Sequence, residues 1–418
     1  MTDRETELYR SNPDFICYAP QDTVSGDATN QHFLVTPTQE GAFLAVWTQA
    51  SVEAAPDQRI VFSRSEDGGV TWTPPQVLEG PEPGTDRIAS WAFPFLVPHS
   101  GRIYVFYNKN VGLCDARRDM ANELWYRWSD DDGRTWSREH GRLTIRRSAI
   151  SHPDPQVPDS FIVYQPPIIN ARGEVMVGFT RLASSAFHRE ENLFYWFSEV
   201  WFLRFDNLLR EEDPLKLTGT TLPEGDLGLR VPRPDAPHLS LAQEPTIQNL
   251  SDGRLICVMR TMTGMIWYAL SSDFGHTWSS PRPLRYCPAG PPILHPASPC
   301  PLYKLRDGRF ILFYHNNDGT INRASGPADS KRNRNPTYIS IGRELVGQTE
   351  HPLIFTAPRL FADSQFISYG ARPNVGIGPY GSLCEFRGQV YYWYPDRKHF
   401  LLGRILGEDL LDDAGLPK

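Results

Sequence analysis

Six segments of the chain share one pattern of apolar and polar positions. Each has an apolar strand with period-two alternation, a polar turn that contains glycine, and a second apolar or aromatic strand. The segments begin at Gln31, Phe93, Gln165, Glu244, Ser298 and Tyr380. Their starts are 62, 72, 79, 54 and 82 residues apart, about 70 on average. A unit of this length with hairpin turns predicts about four strands, which is the blade of a β-propeller. We therefore predict an all-β fold, a six-bladed β-propeller with four-stranded antiparallel blades.

Domain organisation follows from the same spacing. By length alone, 418 residues allow one domain or three. The six units fill the chain, and the Pro-rich stretches at 214–237 and 288–301 fall between units rather than forming a linker. We expect residues 1–418 to form a single propeller domain.

An octapeptide of the form S-x-D-x-G-x-T-W occurs three times, at residues 65–72, 129–136 and 271–278. Asp and Ser side chains hydrogen-bond the backbone of a turn, glycine supplies a positive φ, and the Thr-Trp pair re-enters a strand with its indole below the turn. The octapeptide therefore predicts a structural hairpin between the later strands of the first, second and fourth units, away from any chemistry.

Composition excludes several classes of function. The net charge of −7 is spread along the chain and no basic run matches a nucleic-acid surface, so we expect no nucleic-acid partner. No apolar run approaches the roughly 20 residues of a membrane span, so we expect no membrane partner either. The six cysteines form no C-x-x-C pair, and no phosphate-binding glycine loop is present, so we expect neither a metal site nor a cofactor. The charged N-terminus lacks a secretory signal, so we expect a cytoplasmic protein, or a secreted one whose signal has been removed.

The three octapeptides resemble the Asp boxes of the sialidase superfamily, whose fold is a six-bladed propeller. The segment 244–260, in which a glutamate precedes an arginine, is similar to the fourth-blade motif of that superfamily. The resemblance extends over nearly the whole chain and implies a glycosidase that acts on a carbohydrate. Asp boxes also occur in propellers without catalytic activity, so they indicate the fold more strongly than the activity.

Residues at the start of each unit converge on the axis of a propeller. Several of them are polar, namely Gln31 or His32, Gln165, Glu244, Ser298 and Tyr380. The resemblance implies that Tyr380 is a nucleophile and that Glu244 accepts its proton, with Tyr369 as a rival to Tyr380. A phenol with a pKa of about 10 is a poor nucleophile at neutral pH until a neighbouring carboxylate takes its proton.

Arginines are the expected ligands of a substrate carboxylate, because the guanidinium fork binds a carboxylate through two hydrogen bonds. The resemblance implies this role for Arg260 and, more loosely, for Arg334; Arg181 ends the equivalent strand of the third unit. Sialidases begin their first blade with Arg-Ile-Pro, where this chain has Gln31-His32-Phe33. The first arginine of the clamp is thus absent from its usual position.

The remaining candidates concern proton transfer and binding. The resemblance implies a general acid shortly before the first octapeptide, where Glu53 and Asp57 are the candidates. His32 would titrate near neutrality and serve as general acid or base, and Gln31, Gln165 and His295 would contact substrate.

Three functions remain open from the sequence. The first is an exo-acting glycoside hydrolase that removes a terminal, acidic sugar. The second is a His32-dependent lyase or hydrolase on a uronate-containing glycan, and the third is a non-catalytic propeller that binds glycan or protein. The oligomeric state and the sugar are not readable from the sequence.

Overall fold

The fold was analysed in a computed structural model, which describes residues 3–417 except 86, 114, 116, 121, 164 and 188–194. The chain begins with helix α1 (Arg4–Leu8) and strand β1 (Phe15–Tyr18). Blade 1 then contains β2 (Thr29–Pro37), β3 (Phe43–Ala50), β4 (Arg59–Ser65) and β5 (Gln76–Glu79). Blade 2 contains β6 (Ala89–Leu96), β7 (Ile103–Lys109), β8 (Glu123–Ser129) and β9 (Gly141–Leu143). Blade 3 contains β10 (Ser160–Ile162), β11 (Ile168–Ile169), β12 (Val175–Leu182), β13 (Ser198–Phe205) and β14 (Gly219–Leu222).

The second half of the chain repeats this arrangement. Blade 4 contains β15 (Gln243–Asn249), β16 (Leu255–Arg260), β17 (Trp267–Ser271) and β18 (Arg282–Pro283). Blade 5 contains β19 (Leu302–Lys304), β20 (Phe310–Tyr314), β21 (Thr337–Glu344), β22 (Leu353–Phe355) and β23 (Arg359–Ala362). Blade 6 contains β24 (Ser382–Phe386), β25 (Gln389–Asp396) and β26 (Phe400–Ile405), and helix α2 (Glu408–Leu411) follows it. The predicted six-bladed β-propeller is confirmed.

Each blade is a four-stranded antiparallel sheet in which consecutive strands are neighbours. In blade 3 the innermost strand is split into β10 and β11, which both pair with β12. In blade 5 the outermost strand is split in the same way into β22 and β23, which both pair with β21. The second strands β3, β7, β12, β16 and β20 are buried on both faces, because each blade is covered by two others. Their nearly continuous apolar runs reflect this burial.

The core is divided among the interfaces between blades. Six large clusters of buried apolar side chains each join a blade to the next around the ring. Trp393 of blade 6 illustrates this packing, because it contacts Phe33 and Phe43 of blade 1 edge to face.

The three octapeptides form the turns between the third and fourth strands of blades 1, 2 and 4, as the sequence predicts. In the first, Asp67 accepts hydrogen bonds from the Thr71 backbone N–H (2.9 Å) and hydroxyl (2.6 Å). The Thr71 hydroxyl and backbone N–H lower the pKa of Asp67 to about 2. Gly69 has φ of +97° and accepts the Trp72 indole N–H at 3.0 Å. The motif is a self-contained turn on the outer part of the blade.

The ring closes through the two ends of the chain. Strand β1 pairs antiparallel with β26 and so supplies the outermost strand of blade 6. Glu7 of α1 is buried and pairs with Arg397, which also contacts the neighbouring Asp396. The six units recognised in the sequence start at Gln31, so this contribution of the first residues was not anticipated.

Two further features of the described residues bear on the sequence predictions. None of their helices is long and apolar enough to cross a membrane. Of the six cysteines, Cys114 lies outside the described residues; Cys17, Cys257, Cys300 and Cys384 are free and buried, and Cys287 is free and half-buried.

Candidate active site

Three of the innermost strands carry the same irregularity at the axis of the propeller. Strands β2, β6 and β15 each shift register once, and the shift contains His32, Trp91 and Glu244 respectively. These residues have φ of 53°, 57° and 48°, a left-handed backbone that costs an ordinary residue of order 1–3 kcal/mol. Bulges of this kind re-aim a side chain and occur next to active sites. The strain in three blades therefore marks the centre of the ring as the candidate site.

Threonines of the adjoining blades hold two of these bulges. The backbone N–H of Trp91 donates to the Thr48 hydroxyl at 3.0 Å, and that of Glu244 donates to the Thr180 hydroxyl at 2.6 Å. Thr48 and Thr180 lie in the second strand of the preceding blade, in β3 and β12. The side chains of the site are thus fixed by contacts between blades.

Tyr380 and Glu244 lie in direct contact at the centre of the site. The Tyr380 hydroxyl donates to Glu244 Oε1 at 2.9 Å, and both side chains are almost completely buried. Burial raises the pKa of the Tyr380 phenol and Glu244 raises it further, against the opposing effect of Arg334 and Arg260. The phenol is therefore protonated at neutral pH, and the carboxylate beside it is placed to accept its proton.

Two arginines from blades 4 and 5 complete the surroundings of this pair. Arg260 donates from Nη1 to Glu244 Oε2 at 2.7 Å, and Arg334 Nη1 lies 3.5 Å from the Tyr380 hydroxyl. Arg334 also donates from Nη2 to the Ala297 carbonyl at 2.6 Å. Arg260 is fully buried, is not part of the described pocket lining and orients Glu244, whereas Arg334 lines the pocket.

A pocket lies over Tyr380 and has a basic wall. In the described part of the chain, four basic residues and one acidic residue line the pocket, namely Lys331, Arg334, Arg372, Lys398 and Glu53. Arg397 lines it as well, but its guanidinium is paired with Glu7 and Asp396. Such a pocket favours an anionic ligand.

Glu53 is held between two cations. Its Oε2 accepts from Lys398 Nζ at 2.7 Å, and its Oε1 lies 3.7 Å from Arg117 Nη2. Burial raises the pKa of Glu53, but Lys398 and Arg117 outweigh this effect and bring it well below its usual value. Asp57, the other candidate acid, instead accepts from the Ser51 backbone and hydroxyl and does not line the pocket as the structure describes it.

His32 is buried beside Tyr380. Its ring is 3.5 Å from that of Trp91 and 5.2 Å from that of Tyr380 between centroids. Burial lowers the pKa of His32 well below its usual range, and Lys398 lowers it further. The imidazole is therefore neutral at neutral pH, contrary to the titration near neutrality that the sequence suggested. A neutral imidazole cannot donate a proton as a general acid and retains only the capacity of a base.

Four of the predicted binding residues lie away from the pocket wall of the described structure: Gln31, Gln165, Arg181 and His295. Arg181 is buried and pairs with Asp159 at 2.9 Å. His295 Nε2 contacts the Ser298 carbonyl at 2.9 Å and its Nδ1 accepts from the backbone of His315, and burial lowers the pKa of His295 to about 3. These two side chains are committed to structural contacts.

The two glutamines are also buried. Gln31 directly precedes the bulge at His32, and Gln165 lies beside Tyr303, whose hydroxyl donates to the Gly381 carbonyl at 2.8 Å. Neither glutamine is part of the described pocket lining, so their contact with a substrate stays a prediction. Tyr369, the rival of Tyr380, stacks on Phe400 instead.

Lys398, Arg117 and Tyr195 were missed as site residues by the sequence analysis. The Tyr195 ring lies 5.2 Å from the Arg260 guanidinium, and although burial raises the pKa of Tyr195, Arg260 and Arg334 outweigh it and lower that pKa. The aromatic run 194–197 reads as a core strand in the sequence, and Phe194 lies outside the described residues. Lys398 follows Arg397, and two consecutive basic residues in a turn are equally typical of a solvated loop, so the sequence did not indicate a site there.

The ring of six blades, the Asp-box turns and the Tyr380–Glu244 pair at the axis define a sialidase-like β-propeller of the Asp-box class. The chain belongs to the family of the BNR repeat-like domain, whose model matches residues 41–353.

Solved structures show the same fold at low identity. The NanB sialidase from Streptococcus pneumoniae is 11% identical with a TM-score of 0.63, and the match covers 96% of this chain and 71% of that chain. The leech intramolecular trans-sialidase is 15% identical with a TM-score of 0.59, covering 94% and 70%. A protein of unknown function from Dyadobacter fermentans is 13% identical with a TM-score of 0.59, covering 95% and 99%. A comparison with curated proteins gave no match.

Proposed function

We propose that the protein is an exo-acting glycoside hydrolase that removes a terminal acidic sugar from a glycan. The observation that carries this proposal is the 2.9 Å hydrogen bond from the Tyr380 hydroxyl to Glu244, made by a tyrosine that lines a basic pocket. The sialidases among the similar structures support the reaction class, because they share the fold that brings these two residues together.

In the first step, the phenolic oxygen of Tyr380 attacks the anomeric carbon and Glu244 takes the phenolic proton. The bond from the anomeric carbon to the leaving oxygen breaks, and that oxygen takes a proton from a general acid. Water then attacks the anomeric carbon of the glycosyl-tyrosine and gives one proton to the general acid, which the first step left ionised. The bond from that carbon to the tyrosine oxygen breaks, and Glu244 returns its proton to the phenol. Two displacements at one carbon retain its configuration.

A neutral nucleophile suits an anionic substrate. The protonated phenol brings no negative charge to a sugar that carries a carboxylate, whereas a carboxylate nucleophile would repel it. Arg334 on the pocket wall supplies a guanidinium that can bind the substrate carboxylate. Arg260 remains the partner of Glu244 and keeps that carboxylate turned toward the phenol.

Glu53 is our choice for the general acid, because it lines the same pocket as Tyr380. In the free protein its low pKa keeps it ionised, so it must gain a proton when substrate displaces a cation from it.

A screen of aryl glycosides of sialic, uronic and neutral sugars tests the proposal. We expect the wild-type chain to release the aryl group from an acidic glycoside, and Tyr380→Phe to lose this activity. A fluorinated sugar that slows the second step should leave its mass on the peptide containing Tyr380. Absence of turnover on every glycoside, or turnover by Tyr380→Phe at the wild-type rate, contradicts the hydrolase.

A His32-dependent lyase on a uronate-containing glycan is the second candidate. His32 Nε2 has no hydrogen-bond partner among the described residues, and the neutral ring beside Tyr380 is able to act as a base. Incubation with uronate glycans distinguishes the two reactions: a lyase forms an unsaturated product that absorbs in the ultraviolet, and His32→Ala abolishes it. A hydrolase forms no such product.

A further inference from the structure

The turn that follows β25 has an unusual backbone. Arg397 and Lys398 are consecutive residues with φ of 51° and 53°, in the left-handed region that ordinary side chains rarely adopt. Such a conformation persists only where the surroundings enforce it, and it often serves a functional position.

Several contacts enforce this turn. The Arg397 backbone N–H donates to the Gly376 carbonyl at 2.7 Å, the Asn30 backbone N–H donates to the Lys398 carbonyl at 2.8 Å, and Asn374 Nδ2 donates to the Arg397 carbonyl at 3.1 Å. The Arg397 side chain is buried in its pair with Glu7. The backbone of Lys398 is therefore fixed by blade 1, blade 6 and the N-terminal helix together.

This turn directs Lys398 over the proposed nucleophile. Lys398 Nζ lies 5.7 Å from the centroid of the Tyr380 ring, and the Arg334 guanidinium lies 5.8 Å from the same centroid. The two cations thus stand at nearly equal distances from the ring. Arg334 Nε also has no hydrogen-bond partner among the described residues, so this side chain has donor capacity to spare.

Lys398 can leave Glu53 for another carboxylate without leaving Glu53 unpaired. Glu53 keeps Arg117 at 3.7 Å when Lys398 leaves it, and Arg117 is itself anchored by two hydrogen bonds to Asp119. A carboxylate that enters the pocket competes with Glu53 for the same ammonium group.

We propose that Lys398 determines the specificity of the pocket by exchanging its ion pair with Glu53 for one with the carboxylate of an acidic sugar, which Arg334 also binds. This proposal deepens the proposed hydrolase function and rests on it for the reaction. Lys398 of blade 6 then supplies a cation in place of the first-blade arginine that the sialidase pattern has and this chain lacks. The exchange also removes a cation from Glu53, which raises the pKa of that carboxyl and prepares it to donate a proton.

Binding measurements test the proposal independently of turnover. The probes are 2,3-dehydro-N-acetylneuraminic acid and glucuronic acid, each compared with its uncharged methyl ester by titration calorimetry. We expect the wild-type chain to bind at least one acid at least tenfold more tightly than its ester. Lys398→Met should remove that preference, and Glu53→Gln, which frees the ammonium, should bind the same acid several-fold more tightly.

A matched control lies in blade 5. Lys304 and Glu344 form a similarly half-buried pair at 3.1 Å, outside the described pocket lining, and Lys304→Met should keep the wild-type preference. A wild-type chain that binds neither acid more tightly than its ester, or a Lys398→Met variant that keeps the preference, overturns the proposal. If acid binding depends on Lys398 but no glycoside is turned over, the specificity role stands and the hydrolase is wrong. If acidic and neutral glycosides are turned over equally well and acid binding does not depend on Lys398, the hydrolase function stands and the specificity role of Lys398 is wrong.

Discussion

Tyr380 donates its phenolic hydrogen to Glu244 at 2.9 Å, although 136 residues separate them in the chain. One comes from the start of blade 6 and the other from a strained bulge in blade 4, so only the closed ring brings them together.

Loss of either member of this pair should abolish turnover. We expect Tyr380→Phe to reduce kcat at least about a thousandfold, because the nucleophilic oxygen is removed, and Glu244→Gln about a hundredfold or more, because the base is lost. Initial rates on an acidic aryl glycoside measure both. Tyr369→Phe is the control, since that ring packs on Phe400, and it should stay within about twofold of wild type. Equal effects of the two phenylalanine variants would contradict the assignment.

A general acid at Glu53 predicts a dependence on the leaving group. Glu53→Gln should lower kcat by about a hundredfold for a glycoside with a sugar or alkyl leaving group, which needs protonation. For a nitrophenyl leaving group the loss should be only a few-fold. Comparing kcat for the two substrates measures this, and an equal loss on both would exclude Glu53 as the proton donor.

The buried pair of Arg260 and Glu244 predicts non-additive effects on stability. Arg260→Met leaves the Glu244 charge buried without its 2.7 Å partner and should cost about 3–5 kcal/mol of the free energy of unfolding. Adding Glu244→Gln to that variant should restore much of the loss, because the unpaired charge is gone. Urea unfolding of the two single variants and the double variant gives the coupling. Additive losses would show that the pair does not interact as described.

Buried histidines predict that acid destabilises the fold. The pKa of His295 falls from the ordinary 6.5 to about 3, so the unfolded chain binds a proton that the folded chain excludes. The stability from this residue is complete above about pH 6.5 and is lost as the pH falls toward 3, by about 2 kcal/mol at pH 5. Urea unfolding at pH 8, 6.5 and 5 measures it. His295→Asn should flatten the dependence, whereas the exposed His99→Asn should leave it unchanged; the same slope in both variants would refute the assignment.

The N-terminal helix should contribute strongly to stability. Glu7→Ala leaves Arg397 buried beside Asp396 with one partner fewer and should cost about 3 kcal/mol or more. Glu5 is exposed on the same helix, and Glu5→Ala should change the unfolding free energy by less than about 0.5 kcal/mol. Thermal or urea unfolding compares them, and a similar small effect of both would show that α1 does not hold the ring.

Much of the fold follows from local sequence. The Asp boxes carry their own hydrogen bonds, so Ser65 through Trp72 and its two copies predict their turns without knowledge of the rest of the chain. The strand β1 was missed because its partner β26 lies at the other end of the sequence, and four residues with no neighbouring hairpin give no local signal.

The candidate site likewise contains some residues that the sequence indicated and others that it did not. Glu244 and Tyr380 stood at the starts of repeat units, and the resemblance to the sialidase superfamily pointed to Arg260 and Arg334; the structure brings these four side chains together. Glu53 was a candidate general acid, but its partner Lys398, 345 residues away, was missed, because charge alone does not distinguish a lysine in a pocket from one in a solvated loop. His32 packs against the rings of Trp91 and Tyr380, and its lowered pKa follows from burial, which the sequence does not reveal.

The sharing of blade 6 between the first and the last strands has a consequence for how the protein is made. Blades 1 to 5 have all their strands once the ribosome has passed residue 362, but blade 6 waits for β26 at residues 400–405. Until then β1 has no partner, and the interface of blade 6 with its two neighbours is exposed to other chains. Tyr380 and Lys398 are also synthesised after Glu244 and Arg260, so a nascent chain that has not yet passed residue 398 holds Glu244 and Arg260 without these two neighbours.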